Sequence, residues 1–289
     1  MRSPARSLAR RGHHRALAGL GGLVSALRPY LQWVRLRFLL MLAYRVNYYS
    51  GIAVYTINIG AYYFLWKALY HGESTLGGLT ATQMTTYVAV AWMARSFYFN
   101  NVDREMAQEI REGRVAVELI RPYNYLLVKA MQALGEGLFR LCFFSVPGMV
   151  LVSFLLPVDL PERPETWGLF ALSLLLSFVI NTQLNLLTGL LAFFLLNNEG
   201  LMYAKRVVVD LFSGLIVPLS LFPEWARAVL VLLPFQAISY LPTMIVTGAW
   251  TSAQIHQALL VQLAWSVLLV VPIQALWVLA RRKLVVQGG

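Results

Sequence analysis

Residues 103–125 read DREMAQEIREGRVAVELIRPYNY, a charged interruption between two long apolar segments. Read as a helix, the stretch puts Met106, Ile110, Val117 and Ile120 on one stripe, with Arg104, Arg111, Glu112, Arg114 and Glu118 on the other side. Gly113 falls inside that pattern and Pro122 closes it, which predicts two short helices with a bend rather than one rod. A charge-edged apolar stripe joining two membrane segments suits docking into a groove on a soluble partner. A solvated loop lying on the headgroups satisfies the same pattern.

The flanking composition decides the class. Of 289 residues, 58% are apolar and only 13% charged, with a mean hydropathy of +0.62, too little polar material to clothe a soluble globule. The expectation is an all-α polytopic membrane protein. Its apolar segments sort into six spans of the ~20 residues a bilayer requires. They run from about Ser50 to Leu69, Gln83 to Phe99, Leu138 to Leu156 (as the outer part of a helix beginning near Tyr125), Trp167 to Leu196, Tyr203 to Leu221 and Ala258 to Ala280. The domain reading is a basic segment, 1–48, followed by a six-span domain, 49–289.

Charge placement orients these spans. With the amino terminus inside, nine basic residues precede span one, five lie from Arg104 to Lys129, Lys205 and Arg206 separate spans four and five, and three close the chain, making 19 inside. Only Lys67, Arg163 and Arg227 face outside, so both termini and residues 103–125 are expected on the cytoplasmic side. The first 72 residues contain no acid. An Arg-rich start of this kind fits a transit peptide, and the run ALAGLGGLVSAL from Ala16 resembles a signal-peptide core. The preferred reading is an interfacial helix on an anionic leaflet, with Arg28, Gln32 and Arg35 on one side and Leu31, Val34, Phe38 and Met41 on the other.

Before the last span, residues 220–248 read SLFPEWARAVLVLLPFQAISYLPTMIVTG, apolar enough to enter a membrane but broken by Pro223, Pro234 and Pro242. This predicts a re-entrant hairpin or short outer-leaflet helices, with Trp225 and Tyr240 at the interface. A seventh span from Trp225 to Val246 is the alternative; it would strand Arg281, Arg282 and Lys283 outside.

Ionisable groups inside the spans are few: Arg95, Glu136, Arg140 and Asp210. Each is costly there and needs protein or water around it. Glu136 and Arg140, four apart with the acid first, predict a structural ion pair. Arg95 and Asp210 both fall in the cytoplasmic halves of their spans, where they either pair across helices or line an inward-facing vestibule. Catalytic patterns are missing. No lysine follows a glycine as a Walker A loop requires, there is no HExxH or GxSxG, and Asp103, Asp159 and Asp210 are isolated. The single cysteine, Cys142, and four scattered histidines offer no metal-ligand spacing.

Taken together, this architecture resembles the membrane subunit of type-2 ATP-binding-cassette exporters. Locally, EIREGRVAVELIRP (109–122) is similar to the I-x-x-G…L-x-[RK]-P segment of a bacterial branch of that family, and FPEWARAVLVLLPF (222–235) to its Pro-x-Trp…Pro-Phe signature, carried here by Pro223, Trp225, Pro234 and Phe235. The resemblance implies a permease without a cofactor of its own, with ATP and Mg on a partner ATPase, working as a dimer of two copies or two different permeases in a bacterial inner membrane. It implies that Glu109, Ile110, Arg111, Gly113 and Arg114, with Arg121 and Pro122 closing the segment, form the coupling contact to that ATPase. It also places Asn58, Arg95 and Asp210 near the passage. An aliphatic and aromatic lining points to export of an amphipathic or hydrophobic molecule. Two competitors remain: an integral-membrane lipid or prenyl transferase, and a non-transporting anchor for a cytoplasmic partner.

Overall fold

Most breaks along this chain fall where a proline or a left-handed glycine makes a helix stop or widen. The computed structural model describes residues 27–43, 46–195 and 197–283; among these the chain is helical, with one isolated bridge between Leu76 and Leu79. The Ala16 run lies outside the described residues. Helix α1 covers 27–43 and α2 covers Val46–Tyr70. Between α2 and α3 (Ala81–Tyr98), Gly77 and Gly78 take φ of 60° and 82°, the left-handed pair that lets a two-residue loop reverse the chain.

Then come α4 (Val102–Arg111), α5 (Val115–Ile120) and α6 (Tyr125–Arg140), which runs through a π-turn, Leu141–Ser145, into α7 (Val146–Leu155). Pro147 has no N–H to give the Phe143 carbonyl, and the helix widens just before it. The Ser145 hydroxyl ties this widened turn to α3 by donating to the Met93 carbonyl at 3.0 Å. Helix α8 (Pro164–Leu190) starts on a proline whose missing N–H costs nothing at a first turn. After α9 (Glu199–Phe212) come α10 (Glu224–Leu230), α11 (Tyr240–Val246), α12 (Ser252–Leu268) and α13 (Val270–Arg282); the break at Leu269 precedes Pro272 by less than a turn.

Among the described residues, three continuous helical stretches, Tyr125–Leu155, Pro164–Phe193 and Ser252–Arg282, are long and apolar enough to cross a bilayer. The protein is an all-α membrane protein. Its fifth segment departs from the expected Tyr203–Leu221: α9 has 14 residues, about 21 Å, and stops at Ser213 before Gly214, whose φ is 86°. The Pro-broken segment is no straight span either. It divides into two seven-residue helices joined by a 3-10 turn at Pro234–Ala237, so no continuous helix runs from Trp225 to Val246. Pro223 caps α10, Pro234 opens the turn and Pro242 sits in the first turn of α11, all positions where no amide is required. Trp225 is 75% exposed, whereas α11 is buried from Leu241 to Val246 against α8 and α3.

Helix α8 is the hub, packing against α3, α4, α6, α11, α12 and α13. Its buried face is polar at every fourth residue. Ser173 donates to Gln262 Oε1 at 2.7 Å, Ser177 to the Ala237 carbonyl at 3.1 Å, Asn181 to the Tyr98 carbonyl at 2.8 Å and Asn185 to Asn100 Oδ1 at 2.8 Å. In lipid such bonds, rather than apolar burial, hold one helix to another. Small residues allow the rest of the close approach. A Cβ added at Gly137 would lie 2.6 Å from the Phe97 carbonyl oxygen. Gly137→Val is therefore expected to destabilise the protein by about 1–3 kcal/mol, read as a lower melting temperature in detergent. Gly168→Ala, with nothing within 4 Å, should be neutral or better.

Candidate functional site

The charged interruption forms an elbow. Helix α4 ends at Arg111 with Glu112 as its cap, and Gly113, with φ of 71°, turns the chain into α5. The expected bend is there, but the expected single stripe is not. Met106 is fully buried and Ile110 packs on the core, whereas Val117 and Ile120 are 57% and 85% exposed; in α5 it is Val115 and Leu119 that turn inward. A left-handed residue between two helices rotates the second away from the axis on which the stripe was drawn.

Three carboxylates of α4 tie it to three different helices. Asp103 accepts from Lys205 of α9 at 2.7 Å, Glu105 from Arg37 of α1 at 2.5 Å, and Glu109 from Lys129 of α6 at 2.5 Å, with the Tyr125 hydroxyl adding a bond at 2.7 Å. Glu109 and Ile110, expected at a partner contact, instead face the bundle. Arg111 lies 3.6 Å from Glu199. Gly113, Arg114, Arg121 and Pro122 are exposed, Arg114 at 2.5 Å from Glu112 and Arg121 at 3.2 Å from Glu118. The Glu112 carboxyl is held below the usual range, first by the Gln108 amide donating to it and then by the Arg114 guanidinium.

Behind the elbow lies a buried ionic cluster. Glu136 and Arg140 pair as expected, and Arg37 makes the pair a triad by binding Glu136 at 2.8 Å. Arg140 also donates to the Phe99 carbonyl at 2.7 Å. Arg95 meets both oxygens of Asp210, at 2.8 and 3.0 Å, so these two join α3 to α9 across the bundle. The guanidiniums of Arg95, Arg206 and Arg140 stand over the Phe99 ring at 4.7, 5.0 and 5.7 Å. Asn58 donates back to its own helix, to the Val54 carbonyl at 2.9 Å.

Helix α1 follows its expected amphipathic pattern in part. Arg28, Gln32 and Arg35 are exposed and Val34, Phe38 and Met41 turn inward, but Leu31 is 56% exposed and Arg37 takes a place on the inner face. The charge-based reading missed Arg37, Lys205 and the asparagines of α8. A signal was available for the last of these: Ser173, Ser177, Asn181 and Asn185 recur at steps of four within an apolar run. Apart from the elbow, a cleft of about 470 Å³ opens between α6, α8 and α13, with Leu127, Met131, Phe178 and Ile273 among its walls and no charged group.

Residues 56–288 match the family model described as ABC-2 family transporter protein, a stretch that takes in the elbow and the Pro-broken segment and begins after α1. No curated protein matches the chain.

Proposed function

This chain belongs to the ABC-2 transporter family, and we propose that it is the exporting permease subunit of an ATP-binding-cassette transporter, coupled through its elbow to a separate ATPase. One observation carries this reading: α5 holds two unpartnered apolar side chains out of the bundle, while α4 is bound to α1, α6 and α9 by an ion pair each. A push on α5 reaches three helices at once. Arg114, Val117 and Ile120 form the docking face, with Arg111, Gly113, Arg121 and Pro122 at its rim. Glu109 and Ile110 root the elbow rather than touch the partner. Closure of paired ATPase subunits, which bind the ATP and Mg, then shifts the population between inward-facing and outward-open or closed states of a permease dimer.

The excess of basic residues at the chain ends and at the elbow supports a bacterial inner-membrane protein with both termini cytoplasmic. Six crossings follow if α2, α3 and α9 join the three long helices, the short α9 being completed by the outer hairpin. The substrate class that suits aliphatic and aromatic walls is an amphipathic or hydrophobic molecule moved out of the cytoplasm or inner leaflet. A lipid or prenyl transferase would need acids or histidines clustered at the interface, and among the described residues no three of His, Cys, Asp or Glu are grouped to hold a metal ion. Here Asp103, Glu105, Glu109, Glu136 and Asp210 are each engaged by a lysine or arginine. A mere anchor would have no use for an elbow wired to three helices.

The test is co-purification from the native membrane followed by ATPase assay. A nucleotide-hydrolysing subunit in the complex, with vanadate-sensitive turnover that rises when the permease is present, is the expected result. A chain that purifies without any such subunit would sink the proposal.

A further inference from the structure

We propose that a cavity between the Pro-broken segment and the start of α12 binds the sugar headgroup of an uncharged glycolipid. It measures about 220 Å³, and its polar walls are Gln236, Trp250, Gln254 and Gln257, with Leu241 and Val261 among the apolar ones. At the ~30 Å³ share of one water the space equals about seven, the bulk of a single sugar ring.

Two accessible polar atoms in these walls have nothing to bond in the protein. Gln236 is only 5% exposed and its Nε2 donates to the Val231 carbonyl at 2.8 Å, yet its Oε1, which is not occluded, accepts from no group. The Trp250 indole N–H is likewise open and without an acceptor. A side chain buried this deeply normally finds partners for both ends of its amide, so the open acceptor calls for a ligand that donates. The indole calls for one that also accepts. Gln254 uses its Oε1 to accept from the Thr251 amide at 2.8 Å and keeps its Nε2 free, while Gln257, three residues on along the same face of α12, has its whole amide free. Trp250 is steadied by Tyr240, edge to face at 5.8 Å between ring centres. No Asp, Glu, Lys, Arg or His lines the cavity, so a charged headgroup would find no counter-ion. A ring whose hydroxyls both donate and accept, with apolar C–H faces to set against Trp250, satisfies the whole set.

The surroundings favour a lipid over a free sugar. Val231, in the cavity wall, and the adjoining Leu232 are 50% and 74% exposed, and Leu260, three residues beyond Gln257 on α12, is 65% exposed, a surface for acyl chains beside the headgroup. The cavity lies at the Ser252 end of the Ser252–Arg282 stretch, so the lipid belongs to the leaflet opposite the one that meets Arg281 and Arg282. The site stands apart from the elbow and does not depend on the permease reading.

Full-length protein in a neutral detergent without sugar groups, incubated with monoglucosyl diacylglycerol, with diacylglycerol of the same acyl chains, or with glucose, is examined by native mass spectrometry. Wild type should retain one glucosyl lipid, and Trp250→Phe, Gln236→Met and Gln257→Ala should each weaken it about fivefold, the loss of one hydrogen bond between neutral groups. Retention of free glucose with the same dependence on these residues would assign the same chemistry to a soluble sugar and overturn the lipid. Because Gln257 is exposed, Gln257→Ala decides the matter should the other two variants fail to fold. Equal retention of diacylglycerol, or variants that bind like wild type, would overturn the site.

Discussion

Ile120→Asp should detach the permease from its ATPase while leaving the membrane domain intact. The side chain is 85% exposed and belongs to no core cluster, so its replacement removes nothing from the fold. Buried in a partner's cleft, an isoleucine contributes about 2 kcal/mol, and an unpaired carboxylate in its place adds a desolvation cost. The expected result is at least about 30-fold weaker association, loss of permease-stimulated ATP hydrolysis, and an unchanged melting temperature for the purified chain. Val117→Asp should behave alike, since the two side chains leave α5 on the same exposed side. Gly113→Pro reaches the same endpoint by another route: its φ of 71° is closed to proline, so the elbow cannot keep its bend. Full coupling in Ile120→Asp would show that α5 is not where the ATPase sits.

The second large effect concerns Arg95 and Asp210, the pair that joins α3 to α9. Arg95→Met strands the carboxylate and Asp210→Asn strands the guanidinium, each in surroundings where breaking an ion pair costs about 3–5 kcal/mol. Both single variants should melt well below wild type. The double variant Arg95→Met with Asp210→Asn should recover most of that loss, because it buries no uncompensated charge. Transport separates the pair's two meanings. If the double variant regains stability and export together, the pair is a strut; if it regains stability alone, the charges meet the substrate. Additive losses in the double variant would show that the two residues are not coupled.

The features legible beforehand share a physical character. Glu136 and Arg140 sit one helical turn apart, so their pairing needs only a helix, and the bend at Gly113 needs only a residue free to take positive φ. Pro223, Pro234 and Pro242 break a span wherever they sit, because each removes an amide. Arg37 is different. It lies 99 residues from Glu136 and 68 from Glu105, and nothing local marks it among the nine basic residues of its segment. Glu109 likewise looked available for a partner until Lys129 and Tyr125 of α6 were placed against it.

From the sequence alone came the membrane class, the breaks at Gly113 and at the three hairpin prolines, and the charged elbow between two apolar stretches. These depend on composition and on backbone chemistry that acts within a few residues. Tertiary structure alone decided which charges meet, which face of the elbow is rooted and which is exposed, and that α8 is the hub. Those are outcomes of contacts between segments far apart in the chain, where several pairings are chemically acceptable and packing selects one.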